Sequence, residues 1–135
     1  VVRAGQPGVY TVHAWEDYTG ACADSVAIAV FDRNDLDDLL RERWEHLRSA
    51  LQEGRIEDAL QDIAPAQVDA YRRVFDALAP GERVEIAGEM QDIRLIDMLE
   101  GSVEYDVRTV RGGQECSFLL LFEMDGDGFW KITFF

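Results

Sequence analysis

The last stretch of the sequence, residues 114–135, contains two runs in which apolar side chains recur at every second position. Between them lies Asp-Gly-Asp-Gly at 125–128, and Asp-Gly steps supply the positive φ angles that tight turns require. The pattern therefore predicts a β-hairpin. Both faces are apolar in the middle, so we expect helices to cover one and a partner or flanking segment to cover the other. One face carries Cys116, Phe118, Leu120, Phe122 and Met124 on the first strand, and Trp130, Ile132 and Phe134 share a face on the second.

A second alternating pattern occupies residues 1–31 and predicts another hairpin, with a polar loop at 16–20. A lone hairpin is marginally stable in water. This one must therefore pair with chain that precedes it or lie on the next domain. Each of its two strands has one apolar face. This face consists of Tyr10, Val12 and Ala14 on the first strand and of Val26, Ile28 and Val30 on the second.

Between the hairpins the apolar period lengthens to that of a helix, and three helices are predicted. The first begins at an Asn34-Asp35 cap and ends at Gly54, because Asn and Asp accept hydrogen bonds from the first turn and Gly ends helices. The second spans 56–63. The third runs from Pro65 to the stop at Pro80-Gly81. The inward residues are Leu36, Leu39, Leu40, Trp44, Leu47, Ala50 and Leu51 on the first helix and Val68, Tyr71, Val74, Phe75 and Leu78 on the third.

From Glu82 onward the apolar period is two, and no further helix is predicted. Helices followed by a meandering antiparallel sheet indicate an α+β fold with the helices on one face of the sheet. The predicted strands lie near 83–87, 92–99, 103–110, 115–124 and 129–134, with turns at 100–101, 112–113 and 125–128.

Residues 1–31 resemble the last two strands of a bacterial immunoglobulin-like surface domain. The resemblance is carried by Pro7-Gly8-x-Tyr10-Thr11-Val12, by Asp17-x-x-Gly20, and by Asp-Ser-Val-Ala-Ile-Ala-Val at 24–30. It implies that Tyr10 is the tyrosine that ties a corner of such a domain together.

Residues 32–135 contain three segments in a particular order: Ala-Leu-Gln-Glu-Gly-Arg-Ile-Glu-Asp-Ala-Leu at 50–60, then Tyr71-x-x-Val74-Phe75-x-x-Leu78, then Phe122-x-x-Asp125-Gly126-Asp127-Gly128-x-Trp130-Lys131-Ile132. In these segments the chain is similar to the nuclear-transport-factor-2-like superfamily, with its small exported bacterial members closest. The resemblance implies three N-terminal helices packed in the concavity of a curved antiparallel sheet, which together form a cone with a pocket.

The net charge of −14 argues against nucleic acid and anionic membrane surfaces as partners. No apolar run approaches the ~20 residues that span a bilayer, so membrane insertion is not expected. The sequence begins at Val1 without methionine, which indicates a segment of a longer or processed protein. Together with the resemblances, this predicts an exported location at the bacterial cell surface or in the periplasm.

No catalytic or cofactor motif stands out, and neither a cofactor nor a metal is expected. An acid–base enzyme would need a buried carboxylate of raised pKa near a tyrosine. The candidates are Asp97, Glu104 or Asp106 with Tyr71 or Tyr105, and ordinary solvent-facing strand acids explain them equally. If a pocket exists, its lining is expected from Trp44, His46, Tyr71, Phe75, Tyr105 and Phe118.

Three smaller features have structural explanations beside the functional ones. Asp125 and Asp127 have part of a calcium-loop spacing, but a hairpin turn accounts for both. His46, on the flank of the first helix, is either a general base or a histidine packed against the sheet. Cys22 and Cys116 lack metal-ligand spacing, and their pairing stays open.

The favoured function is a non-catalytic interaction or ligand-binding module of an exported multidomain bacterial surface protein. Its partner would be another protein, a second copy of the chain, or a small apolar ligand. Two alternatives stay open: a small-molecule isomerase or dehydratase with acids in the cone, and a structural dimerisation cap.

We predict that residues 1–31 do not fold alone, because their few apolar side chains cannot offset the entropy of ordering the segment. In the whole chain we expect the hairpin to be paired through its open edge. Hydrogen exchange should therefore be unprotected in the isolated peptide and strongly protected at 26–30 in the full chain. Equally fast exchange in both would identify the segment as a linker.

Overall fold

A computed structural model describes residues 6–15 and 23–135. It confirms an α+β protein, with four helices where three were predicted and two antiparallel sheets in these residues, and the chain divides into two compact units, Val1–Asp37 and Asp38–Phe135. No helix in these ranges is long and apolar enough to cross a membrane. The elements are β1 (Gly8–Trp15), β2 (Ala23–Val30), α1 (Arg33–Gln52), α2 (Ile56–Leu60), α3 (Val68–Ala77), α4 (Pro80–Glu89), β3 (Asp92–Leu99), β4 (Ser102–Arg111), β5 (Gln114–Met124) and β6 (Trp130–Phe134).

The first unit contains the predicted hairpin of β1 and β2, whereas the loop predicted at 16–20 lies outside the described residues. Tyr10 pairs with Ile28 and Val12 with Val26, as alternation requires. The Tyr10 hydroxyl donates a hydrogen bond of 2.7 Å to the Gln6 carbonyl oxygen, four residues upstream.

The start of α1 differs from the prediction by two residues. Asp32 Oδ1 accepts the backbone N–H of Asn34 at 2.8 Å, so Asp32 caps the helix in place of Asn34 or Asp35. Gly54 follows the helix with φ +74°, a conformation that Gly adopts without the penalty of a side chain. The apolar stripe is confirmed at its centre, where Leu40, Trp44, Leu47, Ala50 and Leu51 are buried.

The second predicted helix is shorter than 56–63 because its last residues join the sheet. α2 ends at Leu60, and Ile63 forms a parallel bridge with Ile132 of β6. Two backbone hydrogen bonds of 2.8 Å, from Ile132 N–H to Asp62 O and from Ala64 N–H to Ile132 O, make this bridge. Residues 62–64 thus attach to the edge of β6.

The strand predicted at 83–87 is wrong, since these residues belong to α4. Pro80 was taken as a stop signal, but it lies at the start of the helix, where its missing N–H costs nothing. The Glu82 carboxylate accepts the Ala79 N–H at 2.8 Å and caps the first turn. Arg83 and Ile86 are half-buried and Ala87 and Met90 buried, which is the spacing of one helix face, whereas Val84 is exposed.

The second unit is built on one sheet with strand order β3-β4-β5-β6. On β4, Val103, Tyr105, Val107 and Thr109 are buried, while the residues between them are partly or fully exposed. One face of the sheet therefore contributes to the core. Within the described residues, the other face keeps apolar groups in solvent, including Leu119 of β5.

A β-bulge near the end of β6 changes the faces predicted for the terminal residues. Phe122 pairs with Ile132 but Leu121 pairs with Phe134, so Thr133 is one residue extra. Trp130 and Ile132 are buried as expected, whereas Phe134, predicted on the same face, is 54% exposed. The bulge turns Phe134 outward and the following Phe135 inward.

Two burial assignments from the helical pattern also need correction. Val74 of α3 was predicted to face inward but is exposed. Arg48 of α1, which no apolar pattern marks, is buried, and its Nε donates to the Ala87 carbonyl oxygen at 2.8 Å. The Arg48 guanidinium also pairs with Glu45, so this arginine joins α1 to α4 with its charge compensated.

Replacing Trp130 by Ala should lower the free energy of unfolding by about 3–5 kcal/mol, because the indole is 6% exposed and its removal leaves a cavity. Phe129→Ala is the matched control: its side chain is exposed, and only its backbone N–H and carbonyl oxygen serve the turn, so a change within about 0.5 kcal/mol is expected. Urea denaturation followed by circular dichroism measures both. A loss below about 1 kcal/mol for Trp130→Ala would contradict its core position.

Candidate ligand-binding site

Phe135 lies at the centre of an aromatic cluster that joins α1 and α3 to the end of β6. Its ring stacks on Tyr71 at 4.8 Å between centroids and meets the edge of Trp44 at 5.3 Å. Phe75 lies 6.4 Å away in a tilted arrangement. Such pairs add stability beyond the apolar area that they bury, so the cluster fixes the position of Phe135.

Hydrogen bonds hold the same rings in place. The Phe135 N–H donates to the Tyr71 hydroxyl oxygen at 2.9 Å, and that hydroxyl lies 3.3 Å from the Phe135 carbonyl oxygen, to which it donates. Trp44 Nε1–H donates to the carbonyl oxygen of Met90 at 3.1 Å. Met90 follows α4 directly, so Trp44 positions the end of that helix beside the cluster.

A cavity of about 350 Å³ adjoins this cluster. The strand pairing places Thr109 of β4 directly opposite Cys116 of β5, and Phe118 is two residues further along β5 on the same face. Most of the wall is apolar, with one hydroxyl and one thiol. The lining residues are Met90, Thr109, Cys116, Phe118 and Phe135.

The Thr109 hydroxyl is the unusual group of this wall. The residue is 8% exposed, and its Oγ1 is buried without a hydrogen-bond partner among the described residues. A buried hydroxyl without a partner loses the hydrogen bonds that it made to water. Cys116 is different, because its thiol is free and exposed and lies 3.9 Å from the Gln114 carbonyl oxygen.

Four of the six residues expected to line a pocket fall in this region. Phe118 lines the cavity, and Trp44 and Tyr71 hold its Phe135 wall in place. Phe75, also considered, belongs to the aromatic cluster. Tyr105 does not line the cavity: it is fully buried, packs edge-on against Phe122, and has the Arg41 guanidinium 5.5 Å from its ring centre.

His46, the sixth residue, lies at a separate depression of about 400 Å³. Its Nδ1 is 2.5 Å from Oδ2 of Asp62, and Arg43 approaches Oδ1 of the same carboxylate at 3.5 Å. The structure thus pairs His46 with an acid on the segment after α2, and the prediction of a histidine packed against the sheet did not include this partner.

Sequence analysis missed three residues of the cavity wall: Met90, Thr109 and Phe135. Met90 was missed because α4 was not predicted, and Phe135 because strict alternation places it outward. A signal for Thr109 was present, since it continues the every-second-residue series of Tyr105 and Val107 on β4.

The acids considered for an acid–base enzyme do not line the cavity. Asp97 is exposed, and its Oδ1 accepts the backbone N–H of Met98. A hydrogen bond from the Ser117 hydroxyl and another from Arg108 lower the pKa of Asp106. A lowered pKa is the opposite of what a general base in a closed pocket requires. Glu104 alternates with the buried residues of β4 and is partly exposed.

The loop at 125–128 has a turn role in the structure. Asp125 Oδ1 accepts the backbone N–H groups of Asp127 at 3.0 Å and Phe129 at 2.8 Å. Among the described residues there is no group of three or more His, Cys, Asp or Glu side chains that could hold a metal ion. Cys22 lies outside the described residues.

Comparison of the chain with known protein families, with curated proteins and with solved structures finds no match. A function for this chain therefore has to follow from the geometry of its own residues.

Burial raises the pKa of the Tyr71 hydroxyl, and the hydrogen bond from the Phe135 N–H opposes part of this effect. A tyrosine whose pKa is higher in the folded state stabilises the fold below the unfolded pKa of about 10 and loses this contribution as the pH rises through the folded pKa. Stability should therefore fall as the pH rises above about 10, and fall less in Tyr71→Phe.

Melting temperatures across this pH range test the prediction, with each variant compared against its own value near neutral pH. This comparison removes the change in stability that Tyr71→Phe causes at every pH by deleting the hydroxyl. The same alkaline slope in both proteins would contradict it.

Proposed function

We propose that this chain is a non-catalytic ligand-binding module whose ligand is a small apolar molecule with one hydrogen-bonding group. One observation carries the proposal: Thr109, whose buried hydroxyl has no hydrogen-bond partner among the described residues, is one of the residues that line an otherwise apolar cavity. Small-molecule sites are typically concave and apolar with a few placed polar groups.

The energetics favour an occupant that can hydrogen-bond. An unsatisfied buried hydroxyl costs about 1–3 kcal/mol, and a ligand that supplies its partner removes this cost. An occupant without such a group would gain only from burial of apolar surface. The Thr109 hydroxyl thus acts as a specificity-determining group, while Phe118, Met90 and Phe135 supply apolar contact.

The alternatives have less support. An isomerase or dehydratase would need an acid against a tyrosine inside the pocket, whereas Asp97, Glu104 and Asp106 do not line the cavity. A dimerisation cap would need a filled interior and an apolar outer sheet. The cavity argues against the first, and the ion pair of Asp106 with Arg108, which lies beside the exposed Leu119, argues against a wholly apolar outer face.

The family context is part of the same proposal. A nuclear-transport-factor-2-like cone with its helices in the concavity is supported by helices that precede a four-stranded antiparallel sheet. An immunoglobulin-like origin of the first hairpin is supported by the Tyr10–Gln6 hydrogen bond, because a tyrosine corner bonds back to the backbone a few residues upstream. Both fit an exported, multidomain bacterial surface protein with a strongly acidic surface.

Two probes that differ by one hydroxyl, 1-naphthol and naphthalene, test the role of Thr109. The wild-type chain should bind 1-naphthol more tightly than naphthalene by about two- to tenfold, the range of one neutral hydrogen bond. Thr109→Val should remove this preference while raising the stability of the unliganded protein by about 1 kcal/mol, since it deletes an unsatisfied hydroxyl. Fluorescence titration and urea denaturation measure the two effects.

Thr133→Val is the matched control, because the Thr133 hydroxyl donates to the Leu121 carbonyl oxygen at 3.4 Å and is not part of the cavity wall. It should keep the preference for 1-naphthol. The reactivity of Cys116 shows whether the probe binds in the cavity. In a Cys22→Ser variant, Cys116 is the remaining thiol, and the bound probe should slow its reaction with a disulfide reagent. Binding that is equal for both probes, or that leaves Cys116 reactivity unchanged, contradicts the proposal.

A further inference from the structure

A buried carboxylate lies directly beneath an exposed imidazole on the surface of the second unit. Asp62 is 4% exposed, whereas the His46 side chain is 45% exposed, and the two meet at 2.5 Å between Oδ2 and Nδ1. None of the residues around this pair lines the apolar cavity, so the two sites are distinct.

Backbone contacts hold the carboxylate in place. The Asp62 N–H donates to the Ala59 carbonyl oxygen at 3.3 Å, and the Asp62 carbonyl oxygen accepts the Ile132 N–H at 2.8 Å. Asp62 is thereby fixed between α2 and β6. His46 lies in the middle of α1, so both members of the pair are on ordered backbone.

This arrangement decides which nitrogen of His46 can react. A neutral imidazole hydrogen-bonded to a carboxylate carries its proton on the bonded nitrogen, here Nδ1, and the other nitrogen has the lone pair. The described residues offer Nε2 no hydrogen bond. The negative charge of Asp62 also stabilises the positive charge that the ring acquires when Nε2 forms a bond.

We propose that His46 Nε2 is a nucleophile that accepts the acyl group of small carboxylic esters, with Asp62 as its positioning residue. The depression around it is also lined by the acid Glu42 and by two cations, Arg43 and Lys131, and these cations are the groups that can stabilise the negative charge that develops on an ester carbonyl oxygen. Lys131 is itself held in place, because its Nζ donates to the Gln61 carbonyl oxygen at 2.6 Å.

Hydrolysis of the ester by this route needs no reactant other than water. The Nε2 lone pair forms a bond to the carbonyl carbon, and the ester C–O bond breaks with its electron pair leaving on the alcohol oxygen. The Nδ1 proton stays on the ring, shared with Asp62. Water then attacks the acyl carbon, the C–N bond breaks, and the products are a carboxylate, the alcohol and one proton released to solvent.

The chain offers its own control, since His13 is its other histidine and is exposed on β1. p-Nitrophenyl acetate is the probe, and the release of p-nitrophenolate is followed at one fixed pH for all variants. His46→Gln should lower the protein-dependent rate at least about tenfold, and Asp62→Asn should lower it by a similar factor. His13→Gln should leave it within about twofold.

Trapping identifies the acylated atom independently of variant stability. Acid quench and mass spectrometry of the wild-type chain should find an acetyl group on His46 that hydroxylamine removes, because acyl-imidazoles are labile. A purely structural His46–Asp62 pair would give equal labelling of His46 and His13.

Such equal labelling, a hydroxylamine-stable label on Lys131 alone, or an unchanged rate in folded Asp62→Asn overturns the proposal. Circular dichroism shows whether Asp62→Asn is folded. If it is not, His46→Gln and the trapped label decide, since His46 is exposed and its replacement leaves the core intact.

Discussion

Between Leu121 and Phe122 the pairing of β5 with β6 shifts by one residue, and the arrangement of the second unit depends on this shift. Without it, Phe134 would face the core and Phe135 would face solvent. With it, Phe135 reaches Trp44 and Tyr71 and forms a wall of the apolar cavity. The bulge therefore decides which of the two aromatic rings, Phe134 or Phe135, lines the apolar cavity.

The strand that carries this bulge also connects the two sites. At one end of β6, the aromatic cluster holds Phe135 against the cavity. In its middle, Ile132 bonds on both sides to the segment after α2, which fixes Asp62 beneath His46. Loss of the β6 backbone pairing would disturb both, whereas a change confined to one wall, such as Thr109→Val, acts on one site alone.

Sequence periodicity predicted the hairpins, α1 and the strands from 92 onward because apolar residues recur in their sequences at the period of a strand or a helix. The prediction failed where a single residue makes the same sequence pattern compatible with a different structure. Pro80 begins a helix, although its position predicts the end of one, and Thr133 is an extra residue that alternation does not reveal.

The site was predicted in part for the same reason: Trp44, Tyr71 and Phe118 lie on regular elements, whereas Met90 and Phe135 follow irregular ones. The partner of His46 was not predictable, because Asp62 reaches it only through the tertiary contact between α2 and β6.

The parallel bridge between Ile63 and Ile132 has a consequence for synthesis on the ribosome. All four helices leave the ribosome before β6, and α1 is complete 78 residues before Trp130, from Gln52 to Trp130. At translation rates of about 5–20 residues per second, that interval is roughly 4–16 s. During this time Trp44 has no Phe135 to pack against, and residues 62–64 have no strand to bond. For those seconds the nascent chain lacks the contacts that Trp44 and residues 62–64 make with the end of the chain, so this part of the second unit completes its packing only after β6 is synthesised.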